Sequence, residues 1–110
     1  MKTHIFQNSV PVEEAAPGIR RQIMAHDTHL MLVRVHFDTG AIAGRHAHPH
    51  QQITCVESGV FEVEINGVKE VLGAGDCFLI PSGQMHGAQC LEAGVLIDTF
   101  SPARLDFLQK

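Results

Sequence analysis

The segment GRHAHPHQQITCVESG, residues 44–59, carries His46, His48, His50 and Gln52 at alternate positions. Each of these side chains can offer a lone pair to a metal ion, where a strand turned toward a core should be apolar. A strand advances about 3.3 Å per residue, so His46 and His48 on one face stand roughly 7 Å apart at Cα, near enough for two imidazoles to share an ion. His46 and Gln52 on one straight strand are about 20 Å apart, too far for bonds of about 2 Å to a common ion. The chain must therefore bend between them. Pro49 cannot donate to a ladder and biases His48 toward an extended conformation. A turn through Pro49, His50 and Gln51 is predicted, with Gln52 opening the next antiparallel strand and facing back toward the histidine pair. His50 then sits at the bend, outside the ligand set, and Gln51 faces solvent. A further ligand comes from GDCFLIPSGQMH, residues 75–86, where a strand, a Pro-x-Gly turn and His86 follow in order.

The elements that must hold these residues read as strands. In HLMLVRVHFDTG, from residue 29, Met31, Val33, Val35 and Phe37 alternate with Leu32, Arg34 and His36 before a turn at Asp38 to Gly40. Phe61, Val63 and Ile65 alternate with Glu62 and Glu64, and Asn66-Gly67 predicts a two-residue hairpin into Val68 to Val71. The apolar run at 77–80, a turn at Pro81 to Gly83, and strands around Met85 to Cys90 and Gly94 to Phe100 complete the set. VEEAAPG, residues 12–18, is a break, and Ile19 to Ala25 is a further strand or edge segment. Short strands separated by glycine turns predict an all-β sandwich or barrel. Ser101 and Pro102 read as N-cap and first residue of a short closing helix.

Bulk properties bound the function. At 110 residues the chain accommodates one hydrophobic core and is read as a single domain over 1–110, with a barrel core at about 29–100. No run approaches the ~18 apolar residues of a membrane span, and MKTHIFQNSV lacks the pattern of a secretory signal, so a cytoplasmic protein is expected. A net charge of −4 with eight Lys plus Arg disfavours nucleic acid and membrane surfaces as partners. Cys55, Cys77 and Cys90 form no CxxC pair, and three is an odd number; they are read as reduced and mostly packed. His4, His26, His29 and His36 have no partner pattern.

The spacing of the two glycine-rich segments resembles the cupin family. Gly40, His46, His48, Gln52 and Gly59 fall on the first cupin motif; Gly75, Pro81, Gly83, His86 and Cys90 fall on the second, with residues 60–74 between them. The resemblance implies a single-domain cupin jelly-roll barrel, a metal shell of His46, His48, Gln52 and His86, and a homodimer. Two positions depart from the pattern: Gln52 replaces the usual glutamate, and Cys90 the usual asparagine. A neutral amide leaves a divalent ion its full charge, which makes it the stronger Lewis acid and a redox metal harder to oxidise. The alternative for Gln52 is an amide behind a three-histidine site. Nickel or zinc is favoured, while iron, manganese or copper also suit such ligands.

The tail HGAQCLEAGVLIDTFSPARLDFL, residues 86–108, is similar to that of small cupins of pectin degradation, which ketonise 4,5-unsaturated uronates. In that subgroup the first motif also reads HxHPHxQ, and the last strand carries Asp-x-Phe followed by Pro-x-Arg, here Asp98, Phe100, Pro102 and Arg104. The resemblance implies an isomerase acting on a small anionic sugar. Asp98 and Phe100 share strand parity and point to one side. If that side is the cavity, Asp98 is a carboxylate suited to move a proton, and Arg104 can take a substrate carboxylate through two parallel hydrogen bonds. The other classes compatible with the fold are a metal-dependent dioxygenase, disfavoured by the lack of tyrosine and tryptophan, and a non-catalytic small-molecule or metal binder.

Overall fold

The computed structural model describes residues 2–109; Met1 and Lys110, the ends of the expected domain, lie outside the described residues. Eight strands form one antiparallel sheet: β1 Glu13–Ala16, β2 Ile19–His26, β3 Met31–Phe37, β4 Ile42–His46, β5 Gln51–Ile65, β6 Val68–Gly73, β7 Cys77–Ile80 and β8 His86–Ser101. A single helical turn, α1 Leu105–Leu108, follows. The predicted segment at 19–25 pairs with β3 and carries buried Ile19 and Gln22, so the sheet begins well before residue 29.

Two long strands fold this sheet into a barrel. The first half of β5 pairs with β7 and the second half of β8, which pairs in turn with β3. The second half of β5 pairs with β6 and the first half of β8, which pairs with β4. One layer is therefore β1-β2-β3-β8-β5-β7 and the other β4-β8-β5-β6, with β5 and β8 passing through both. The segments predicted as separate strands around 85–90 and 94–100 are one continuous strand, and the strand read from Phe61 is the second half of β5.

The passage between layers depends on a bulge. Register shifts between Val56, Ser58, Val60 and Phe61 move the buried positions of β5 from Thr54 and Val56 to Phe61 and Val63. An added residue is what lets an inward-facing pattern change parity along one strand. Gly59 sits there at φ +83°, and a Cβ on it would lie 2.6 Å from the Glu92 carbonyl oxygen and 2.7 Å from Gly94 Cα. Around the bulge Phe37 meets Phe61 edge-to-face at 5.2 Å, and Met31, Val33, Val56, Leu96 and Phe100 complete the apolar centre.

Two expectations fail. Ser101 ends β8 instead of capping a helix, Pro102 follows it in a cis peptide bond, and α1 begins only at Leu105 with no side-chain cap. The pairing of β8 with β5 continues to Gln51↔Ser101, so Ser101 stays in the ladder. Cys55 and Cys77 are exposed, because both point away from the core where β5 meets β7; only Cys90 is packed. Burial raises the Cys90 thiol pKa, and its Sγ donates to the Glu92 carbonyl at 3.1 Å.

Gly67 also has positive φ, +81°, but nothing lies within 4 Å of its Cβ position. Gly67→Ala should therefore lower stability by about 1–2 kcal/mol, the cost of a left-handed alanine. Gly59→Ala adds a backbone collision to that cost, and a larger shift of its urea unfolding midpoint is expected.

Candidate metal centre and cavity

The loop between β4 and β5 crosses from one layer to the other, and the expected bend is its centre. His46 ends β4, residues 47–50 are non-strand, and Gln52 is the second residue of β5. The strands flanking the bend do not pair with each other, so Gln52 faces the histidines from the opposite layer. The second motif braces the loop: Gly83 N–H donates to the His48 carbonyl at 2.9 Å and Ser82 Oγ to the Pro49 carbonyl at 2.6 Å. His86 is brought in by register, as the β-partner of His46.

Ring nitrogens from His46, His48 and His86 lie within 4.8 Å of one another, a set that could hold a metal ion. The rings of His46 and His86 are 4.3 Å apart and those of His48 and His86 4.8 Å. Each Nδ1 faces a backbone carbonyl two residues away: Gly44 at 2.8 Å, His50 at 3.0 Å and Gln84 at 2.9 Å. A carbonyl only accepts, so each Nδ1 carries a proton and the neutral ring keeps a bare lone pair on Nε2. Burial lowers the pKa of both His48 and His86, with Arg104 acting in the same direction, which favours the neutral, ligating form.

Gln52 stands beside this set. Its Oε1 is 3.1 Å from His48 Nε2, its Nε2 donates to Thr54 Oγ1 at 2.9 Å, and Thr54 Oγ1 donates to Asp98 Oδ1 at 2.7 Å. Gln52 Oε1 thus faces His48 Nε2 beside the other imidazoles, an arrangement that positive charge, a proton on Nε2 or a metal ion, completes. The residues present fit a divalent ion. His50 does not join the convergent nitrogens, although its ring is as near that of His48 (5.4 Å) as the His46 ring is (5.6 Å), and its Nδ1 is buried without a hydrogen-bond partner. Gln51 is exposed.

Next to the histidines lies a cavity of ≈ 250 Å³, lined among others by His46, His86, Gln52, Asp98, Phe100 and Arg104. Asp98 points inward between Val33 and Thr54, its register partners. Burial raises its carboxyl pKa to about 6, against the opposing pull of the Thr54 hydroxyl and the Arg104 charge. Phe100 stacks edge-on against His48 at 5.8 Å. Arg104 pairs with Asp106 through Nε at 3.0 Å and Nη2 at 2.7 Å and lies 4.2 Å over the Phe107 ring. Asp106 therefore holds one edge of the guanidinium, and Nη1 remains for a ligand. Arg21, also on the cavity wall, lies 4.0 Å from the Phe107 ring centre and binds Glu13 at 2.7 Å. Arg21 and Thr54 lie outside the predicted site; Thr54 could have been found from its shared parity with Gln52 on one strand.

A barrel with histidines from two glycine-rich segments at one mouth defines a class of protein, and the chain belongs to the cupin domain family, whose model matches residues 33–99. The nearer likeness is to the pectin degradation protein KdgF of Dickeya dadantii (strain 3937), 46% identical over 110 residues, covering 98% of this chain and all of that one. KdgF from Halomonas sp. is 42% identical with a TM-score of 0.93, over 97% of this chain and 99% of that one. An RmlC-like cupin from Shewanella frigidimarina NCIMB 400 is 44% identical with a TM-score of 0.93, over 96% of each chain.

Removing an imidazole from the convergent set should cost far more than removing the one at the bend. His48→Ala or His86→Ala is expected to weaken zinc or nickel binding by about 100-fold or more in a competition titration, and His50→Ala to change it less than about three-fold.

Proposed function

We propose that the protein is a metal-dependent isomerase that opens and ketonises 4,5-unsaturated uronates, with His46, His48, His86 and Gln52 holding one divalent ion, nickel or zinc. The observation that carries this reading is Asp98: a carboxyl group, hydrogen-bonded to Thr54, facing the cavity that the histidines, Gln52 and Arg104 also line. The KdgF of Dickeya dadantii, named for pectin degradation, supports the substrate class. A cavity of ≈ 250 Å³ falls below the ~300–1,000 Å³ of pockets for drug-sized ligands and suits one sugar ring.

The residues divide the work by chemistry. Arg104 offers Nη1 to the uronate carboxylate, and its pairing with Asp106 and stacking on Phe107 hold the guanidinium plane in place. Phe100 has no titratable group; it walls the cavity, seats His48 and keeps water from the ring. A bound divalent ion supplies positive charge that polarises the substrate oxygens. Asp98 takes the proton of the hemiacetal hydroxyl as the ring carbon–oxygen bond breaks and a carbonyl forms. The enolate so released takes that proton back from Asp98 at its β-carbon, C4 of the sugar, and becomes a ketone. No electron or atom is exchanged with solvent overall, which is the balance of an isomerisation. A pKa near neutrality is what such a proton carrier needs.

The same reading takes the protein as a cytoplasmic homodimer. Leu32, Ile53 and Leu79, in register across Thr99 on the outer face of the barrel, are 37%, 52% and 56% exposed and support a covered face.

Unsaturated galacturonate, followed by loss of its ring-enol absorbance, tests the reaction. Turnover is expected to stop with chelator and return with added ion. Asp98→Asn should lower kcat by at least about 100-fold while metal content stays that of the wild type; retained turnover would overturn the assignment. Activity should fall with decreasing pH as the Asp98 carboxylate gains its proton. Burial, opposed by the Thr54 hydroxyl and the Arg104 charge, puts that step at about 6, and a bound cation would favour the carboxylate further, so the acid limb of kcat/KM is expected at or below this pH.

A further inference from the structure

We infer that Thr54 is a positioning residue: its hydroxyl decides which end of the Gln52 amide faces the histidines. The inference rests on the proposed function in one respect, that these histidines and Gln52 are ligands. Thr54 is fully buried on the inner face of β5, and its register partner on β8 is Asp98. A hydroxyl has one proton to give and lone pairs to receive with. An Asp98 carboxylate can only accept, so the Thr54 proton goes to Asp98 Oδ1, at 2.7 Å. The oxygen of Thr54 is then left as an acceptor, and the atom that reaches it at 2.9 Å must be the amide nitrogen of Gln52. That leaves Gln52 Oε1 directed at His48 Nε2, 3.1 Å away.

The alternative orientation would be the more comfortable one without a cation. His48 Nδ1 spends its proton on the His50 carbonyl, so Nε2 has a lone pair and would welcome an N–H donor. A Gln52 amide turned by a half-rotation would place its NH₂ there, satisfy the imidazole and block a ligand position. Thr54 opposes this turn, because it would set the amide oxygen against a hydroxyl oxygen whose only proton is committed to Asp98. One buried hydroxyl thereby keeps the amide oxygen pointed at His48 Nε2 and the site receptive to positive charge.

The test uses nickel ions alone, titrated into metal-free protein, so no uronate enters and failure of the catalytic reading leaves its outcome unaffected. Thr54→Val, which keeps the shape and removes the hydroxyl, is expected to weaken nickel binding by about ten-fold or more, and Thr54→Ser to restore it to within about three-fold. In a Gln52→Glu background both ends of the side chain are oxygen, so Thr54→Val should there change affinity by less than about three-fold. Unchanged affinity in Thr54→Val, or an equal loss in the glutamate background, overturns the assignment. The metal-free wild type gives a reading that needs no variant to fold. In ¹⁵N NMR, His48 Nε2 should show no coupling across a hydrogen bond to Gln52 Nε2. Detection of that coupling overturns the inference as well.

Discussion

The pairing of β5 with β8 along nearly the whole length of both is the constraint on which the site depends. Because each strand passes through both layers, the ladder between them fixes how one mouth of the barrel is assembled. His86 opens β8 in the layer that holds His46, while Gln52 opens β5 in the layer that holds Asp98 and Phe100. Slipping β8 by one residue along this ladder would turn His86, Asp98 and Phe100 outward together, away from Gln52 and Thr54 on β5. The bulge at Gly59 preserves the inward pattern across the change of layer, so a turn far from the histidines helps determine where Gln52 points.

Around the mouth, hydrogen bonds are arranged by what each acceptor lacks. Three carbonyls claim the Nδ1 protons of three imidazoles, and a carboxylate claims the Thr54 proton. Burial lowers the pKa of His48 and His86 and raises that of Asp98. Desolvation thus makes the bases neutral and moves the acid toward neutrality, since both changes remove charge from the same low-dielectric wall. The result is a centre short of positive charge beside a cavity whose cations, Arg21 and Arg104, are already partly neutralised by Glu13 and Asp106.

Much of this was legible in the sequence because strand geometry is restrictive. Strand rise alone separated the His46–His48 pair from Gln52 and demanded a bend at Pro49; parity alone put Asp98 and Phe100 on one side. Parity failed as a guide where it changed within a strand. The shift from Thr54 and Val56 to Phe61 and Val63 left no mark except Gly59, so β5 read as two elements. On β8 the inward residues keep one parity from His86 and Cys90 to Leu96 and Phe100; that strand read as two only because Gly94, where a Cβ would collide with the Ser58 carbonyl, looks like a break. Cys55 and Cys77 were misjudged because an apolar residue type does not reveal which face of a strand it occupies. The Asp106 partner of Arg104 lay only two residues away, but the one-turn helix that brings them together begins later than Ser101-Pro102 implied.

The amide at position 52 acquires a reason from the structure that the sequence alone did not offer. A glutamate there would place a second carboxylate on the Thr54 hydroxyl, which has a single proton and already gives it to Asp98. Two carboxylates joined through one hydroxyl cannot both be satisfied, and the less favoured one would be driven to take a proton. An amide avoids the conflict because its nitrogen donates to Thr54 and its oxygen remains a neutral donor atom toward the histidines. Under the proposed function Gln52 and Asp98 are in this sense one choice: a carboxylate that is to move protons requires that its neighbour along the hydrogen-bond chain carry none. The departure from the usual cupin glutamate is then the counterpart of an acid on β8, and under the proposed ligand set it would leave a bound cation the stronger field of neutral ligands.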